Sequence, residues 1–223
     1  EILPKSLEGA IINPITDVVF TGEEITPDVA VNVENIQLQK DIDYIVEYKD
    51  NINAGSATVT ITGKDNYCGS AQTEFNILPK QIDSLEIVGE YTYTAHEIVP
   101  QIVVKSEQTE LTEQDYDVEI IDNLNAGSAT VTVTAKGNYS GELTENFEIA
   151  KMNISDFDFR LTQYSFTYDQ KPHCPDVDEY LYNDVPLVLG TDYTVTKDKT
   201  TANVGSYQVV INAMGNFEGS KTL

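Results

Sequence analysis

The octet NAGSATVT, Asn53–Thr60, stands again without a change at Asn125–Thr132. Eight identical residues in a chain of 223 mark one place in two copies of one structural unit. Reading forward, the match extends to NAGSATVTITGKDNYCG at Asn53–Gly69 and NAGSATVTVTAKGNYSG at Asn125–Gly141, with a divergent third copy, NVGSYQVVINAMGNFEG, at Asn203–Gly219. Reading back, Asp43-Tyr44-Ile45-Val46, Asp115-Tyr116-Asp117-Val118 and Asp192-Tyr193-Thr194-Val195 align. Phe20 with Pro27, Tyr93 with Pro100 and Tyr168 with Pro175 keep one spacing.

A closing phrase completes the unit. Phe75-Asn76-Ile77-Leu78-Pro79-Lys80 matches Phe147-Glu148-Ile149-Ala150-Lys151, and Ile2-Leu3-Pro4-Lys5 repeats its last letters. Residues 1–5 therefore read as the tail of an upstream repeat, followed by repeats at 6–80, 81–151 and 152–223. The third stops before its own Phe-x-Ile phrase, so its C-terminal strand is expected to be truncated and both ends to be cuts within a longer array. The joining phrases are short Pro-Lys or Ala-Lys steps and not Gly/Ser tracts, which predicts neighbours held close with limited swing.

Within each repeat the apolar period is two. Ala57, Val59 and Ile61 alternate with Ser56, Thr58, Thr60 and Thr62; Ala129, Val131 and Val133, then Tyr207, Val209 and Ile211, keep the phase. Such alternation, with threonine on the wet side, describes a half-buried antiparallel strand. Clusters of Gly, Asn and Asp between the alternating runs suit tight turns, so Asn53 and Gly55 should shape a corner that feeds a central strand. No segment carries a sustained helical period. Six or seven short strands per repeat predict an all-β fold: three tandem small immunoglobulin-like β-sandwich modules in an elongated array. A core this small should lean on Tyr44, Phe75 and Phe20.

The phrase NAGSATVTITGKDNYCG, the preceding Asp43-Tyr44-x-Val46 and the aromatic-Thr-Gly-x-x-x-x-Pro segment Phe20–Pro27 resemble the tandem immunoglobulin-like repeats of large cell-surface or secreted proteins of Gram-positive gut bacteria. The resemblance covers all three repeats, with departures in the third, where Met214 stands in place of Lys64 and Lys136. It implies an extracellular stalk or adhesin fragment, attached to the cell wall or secreted. Its motif residues are turn and core positions, so it carries over no catalytic site.

Charge narrows the partners. Against 13 Lys plus Arg stand 37 Asp plus Glu, a net charge of -24, which repels nucleic acid, whose binding rests on basic residues displacing phosphate counterions. The acids are scattered and read first as a solubility device. No apolar run approaches the length of a membrane span, and the opening EILPKSLEGA lacks the plan of a signal peptide, so no membrane insertion is expected of this stretch. A monomeric array is the expected state.

The sequence offers no nucleophile, base or metal constellation. His96 and His173 fall at unlike positions and lack partners at ligand spacing; both read as loop residues. Cys68 and Cys174 read as stray buried or half-buried thiols. Asp156 and Asp158 read as alternating acids on a strand's wet face and not as a calcium site. A Lys–Asn amide cross-link using Lys64 or Lys136 ranks low, because those lysines lie in a surface turn. The expectation is a protein that is not an enzyme, with no cofactor and no metal. Host glycan or protein is the remaining class of ligand. There is no Trp, and among 13 tyrosines those at repeat positions look structural, leaving Tyr91, Tyr164, Tyr180 and Tyr182 as candidate ligand-binding residues.

Overall fold

A computed structural model describes residues 1–198 and 202–223. The described residues are all-β: 25 short strands and one turn of 3-10 helix at Ile154–Asp156. The octet runs into the nine-residue strands Gly55–Gly63 and Gly127–Ala135, matched in length by Ser70–Leu78 and Glu142–Ala150.

In the first repeat the strand Gly55–Gly63 runs antiparallel between Tyr44–Lys49, in register Tyr44↔Gly63 to Lys49↔Thr58, and Ser70–Leu78, in register Gly55↔Ile77 to Thr62↔Ser70. Val18–Val19 closes the sheet parallel to Ile77–Leu78. The alternation read from the sequence is the alternation of burial, since Ala57, Val59 and Ile61 are fully buried while Thr58, Thr60 and Thr62 lie half-buried on the other face. Phe75, Ile77 and Tyr44 join that inner face. A second sheet of Ile11–Ile12, Val31–Val33 and Ile36–Gln37 supplies Val31 and Val33 to the same core, with Leu7, Ile25, Val29 and Leu38 around it. Two sheets sharing one apolar layer make a sandwich-like packing.

The second copy orders its strands alike: Tyr91–Thr92, Glu142–Ala150, Gly127–Ala135, Tyr116–Ile121. Ala129, Val131 and Val133 are again fully buried. In the third, Val209–Ala213 lies between Tyr193–Lys197 and Ser220–Thr222. By spatial proximity the chain divides into two compact units. One comprises Glu1–Ser84, Val104–Asp117 and Val133–Leu143; the other comprises Leu85–Val103, Val118–Thr132 and Thr144–Leu223. Residues of the second copy belong to each.

Three expectations are corrected. Tyr207, aligned with the buried Ala57, is exposed, and its hydroxyl donates to the Asn203 carbonyl at 2.7 Å; Ala57 is paired with Phe75 within the sheet, whereas Tyr207 precedes the strand Val209–Ala213. Asp156 and Asp158 do not lie on a strand, because Asn153 Oδ1 accepts from Ser155 N at 2.9 Å and caps the 3-10 turn instead. Phe157 and Phe159 still turn inward and Asp158 outward, paired with Arg160. Cys68 and Cys174 are free and exposed, not buried. Along Tyr67–Cys68 it is Tyr67 that turns toward the core.

Candidate functional site

The letters that recur without change come together at the joints between copies. In the octet's corner Gly55 and Gly127 adopt φ of 137° and 130°, a region open to glycine, with space around each. Just before it, Asn51 Nδ2 donates to the Ile25 carbonyl at 3.0 Å while Ile25 N donates to the Asn51 carbonyl at 2.9 Å, and Asn123 holds Ile98 in the same way. So anchored, the corner presents the Ala54 N–H and the Asn53 carboxamide outward.

Asn138, from the Gly137-Asn138-Tyr139 turn of the following copy, takes both. Its Oδ1 accepts from Ala54 N at 2.8 Å and its Nδ2 donates to Asn53 Oδ1 at 3.0 Å. The second joint repeats the first: Asn216 Oδ1 accepts from Ala126 N at 2.9 Å, and Nδ2 donates to Asn125 Oδ1 at 3.0 Å. Only a side chain with a donor and an acceptor on one planar head makes this pair of bonds. The backbone of the same asparagine holds the linker. Lys80 N donates to the Asn138 carbonyl at 2.9 Å and Met152 N to the Asn216 carbonyl at 3.1 Å, within short parallel strand pairs.

An edge-on aromatic pair completes each joint, Phe20 with Tyr139 at 5.7 Å and Tyr93 with Phe217 at 5.3 Å between ring centroids. Net worth is about 1 kcal/mol for each hydrogen bond and about 0.5–1.5 kcal/mol for each ring pair. These contacts fasten the octet corner of one copy to the Asn-aromatic turn of the next without a covalent bond. Lys64 and Lys136, weighed above for an amide cross-link, have other partners: Lys64 Nζ donates to the Asp41 carbonyl at 2.7 Å and Lys136 pairs with Asp117.

All four tyrosines singled out make contacts within the protein; Tyr164 does so through its hydroxyl, which accepts from Leu161 N at 3.1 Å. Tyr91 donates to the Val88 carbonyl at 2.6 Å, accepts from Gln101 N at 2.8 Å and packs edge-on against Phe147. Tyr180 stacks on Phe157, with centroids 5.0 Å apart. Tyr182 stacks between Phe157 and Tyr93 and donates to the Tyr93 carbonyl at 2.9 Å, with Asn183 Nδ2 donating to the Thr94 carbonyl beside it at 3.0 Å. Tyr182 thus strengthens the second joint, and desolvation by burial raises its pKa, with Tyr93 adding to the rise. Tyr164 alone is largely exposed, lining a cleft of about 410 Å³ with Phe166, Tyr168 and Tyr207.

His173 is half-buried in that cleft and stacks on Phe166 at 4.8 Å, with Nε2 2.7 Å from Asp169 Oδ1. That hydrogen bond, helped by one from Lys171 N, lowers the pKa of Asp169. His96 is exposed, with Nε2 3.2 Å from the Asn183 carbonyl. Among the described residues no three of His, Cys, Asp and Glu cluster as metal ligands, and no helix is long and apolar enough to cross a membrane.

The joint asparagines were missed in the sequence, although a signal was there. Asn66, Asn138 and Asn216 recur in turns whose preceding residues differ, Lys-Asp, Lys-Gly and Met-Gly. A turn alone does not require that constancy. No family model, curated protein or solved structure matches the chain.

Proposed function

We propose that the chain is a length of non-catalytic stalk from a bacterial cell-surface protein, projecting a distal domain from the wall. On this reading residues 6–80, 81–151 and 152–223 are three immunoglobulin-like sandwich modules in an elongated array, after the tail 1–5 of another. The observation that carries it is the asparagine joint, made twice from the same letters with the same geometry. A spacer needs limited swing at every junction and has no need of a reactive group. Scattered acidic charge of -24 suits a solvated rod that must not associate with its neighbours. Small-angle scattering tests it: modules spanning about 33 Å each, end to end, reach about 100 Å. A maximum dimension near that of one compact globule of the same mass removes the proposal.

The second reading is an adhesin that binds host glycan or protein through the divergent third repeat. The open cleft at Tyr164, Phe166 and Tyr168 favours it, since exposed rings in a hollow are a stacking surface. Signal above background on a glycan array supports it, provided Tyr164→Ala abolishes that signal.

A further inference from the structure

One outer surface of the third copy is apolar where the other two copies keep it polar. In each copy a buried leucine closes a short hairpin: Leu38, Leu111 and Leu187 donate their N–H to the carbonyls of Val31, Val104 and Tyr180, all at 2.9 Å. The residue after each leucine is held by an aspartate, with Gln39 N, Thr112 N and Val188 N donating to Asp43, Asp115 and Asp192 at 2.8, 2.9 and 2.8 Å. These bonds make the positions equivalent. Across the hairpin Asn32 pairs with Gln37, Lys105 with Glu110 and Leu181 with Pro186. Paired residues share a face, and the neighbours of an inward leucine point outward. The outward set is therefore Asn32, Gln37 and Gln39 in the first copy and Lys105, Glu110 and Thr112 in the second, but Leu181, Pro186 and Val188 in the third.

Leu181 is 54%, Val188 53% and the adjoining Leu189 62% exposed, and none of them lines the cleft at Tyr164. Single exposed aliphatic side chains are ordinary; several together, where the same fold takes polar ones, mark a contact surface. Gln37, Gln39, Glu110 and Thr112 are exposed although a further copy follows each, so joining a neighbour does not cover this face. Its surround is acidic. Residues 174–192 hold Asp176, Asp178, Glu179, Asp184 and Asp192 and no Lys or Arg. Lys197 pairs with Asp176 at 3.0 Å, while the exposed Glu179 stands two places before Leu181 and the exposed Asp184 lies in the turn of its hairpin. We infer that this face binds a partner protein through a cationic amphipathic segment, with aliphatic side chains on Leu181, Val188 and Leu189 and Lys or Arg toward Glu179 and Asp184. A second copy of the chain is disfavoured, because its acids would meet these, and a few side chains fall far short of the roughly 20–30 residues per side of a stable interface. An anionic lipid surface is repelled for the same reason. The inference rests on the adhesin reading for its partner protein, does not use the cleft, and leaves the stalk reading untouched.

The test follows methyl chemical shifts of the full chain as a synthetic helix of leucine and lysine in equal number, patterned with one apolar face, is added to millimolar excess. Shifts are expected at Leu181, Val188 and Leu189 and not at Leu124, an exposed leucine in the corner of the second copy. Leu181→Asn with Val188→Gln places the residues of the first copy at two exposed positions, and is expected to weaken binding about tenfold or more without lowering the melting temperature. Should that variant melt early, the methyl map of the native chain decides alone. Salt at about 1 M, where the Debye length is about 3 Å, should weaken binding as well. Equal shifts with a peptide of the same composition in scrambled order, or unchanged binding by a folded double variant, would mean attraction by net charge alone and overturn the proposal. So would a concentration-dependent dimer that the double variant abolishes, which assigns the face to a second copy, or binding of phosphatidylglycerol vesicles and not of the peptide. No shift at all also overturns it; a glycan-array signal that Tyr164→Ala removes would then keep the adhesin reading while this site falls.

Discussion

Asn138 is held by its chemistry and not by its size. Its carboxamide offers an acceptor to Ala54 N–H and a donor to Asn53 Oδ1, and both distances are those of full hydrogen bonds. Asn138→Asp keeps the first bond but sets a carboxylate against the Asn53 oxygen, and Asn138→Ala loses both. The alanine variant is expected to cost about 1–3 kcal/mol at the joint, because the half-buried Ala54 N–H loses its partner. Asn66, the same residue in the first copy, is exposed where Asn138 and Asn216 are half-buried, so burial follows the joint and not the turn. Tyr44 is the other residue whose polar atom decides its worth. It is buried, its hydroxyl donates to the Val29 carbonyl at 2.7 Å, and its pKa is raised by desolvation first and by Asp41 next. Tyr116 and Tyr193, its counterparts, are raised by the same leading cause. A group raised in the folded state stabilises fully below its unfolded value, and that stability is lost as pH climbs through the folded one. The melting temperature should therefore fall above about pH 10. Tyr44→Phe should flatten that fall while lowering stability at neutral pH by about 1–2 kcal/mol. A melting temperature independent of pH above that point would count against these tyrosines being buried phenols.

At the scale of the element, the strand Gly55–Gly63 was legible because its period, its turn residues and its threonines agree on one answer. Ile61→Ala should cost about 2–5 kcal/mol and Phe75→Ala about 3–5 kcal/mol by chemical denaturation, both being buried in one layer. A loss below 1 kcal/mol for either would remove it from the core. Legibility failed where a local bond outweighed the pattern. The stretch Ser155-Asp156-Phe157-Asp158-Phe159 alternates as a strand would, yet Asn153 caps it into a turn, and its inward rings meet Tyr180, Tyr182, Tyr193 and Phe217 instead of a ladder. Tyr207 keeps the phase of Ala57 in the sequence but lies outside the strand Val209–Ala213. The joints were the least legible, since Asn138 and Ala54 are 84 positions apart and nothing local announces that they meet. Of the tyrosines, the sequence offered no means to tell Tyr182, spent on a joint, from Tyr164, open at the cleft.

Over the whole molecule, the excess of acid and the neutrality of the joints act at different ranges. Screening the charge of -24 with salt relieves self-repulsion, so stability should rise modestly between 0.01 and 0.15 M salt, across which the Debye length falls from about 30 to about 8 Å. The asparagine bonds and edge-on rings carry no net charge and should respond little over the same range. The central claim is that the second and third copies each grip the corner of the one before through the side chain of an asparagine, Asn138 and Asn216. Amide exchange at Ala54 and Ala126, compared among the native chain, Asn138→Ala and Asn216→Ala, tests it most directly. The account predicts that Asn138→Ala exposes Ala54 alone and Asn216→Ala exposes Ala126 alone. Unchanged protection at both amides in both variants would contradict it.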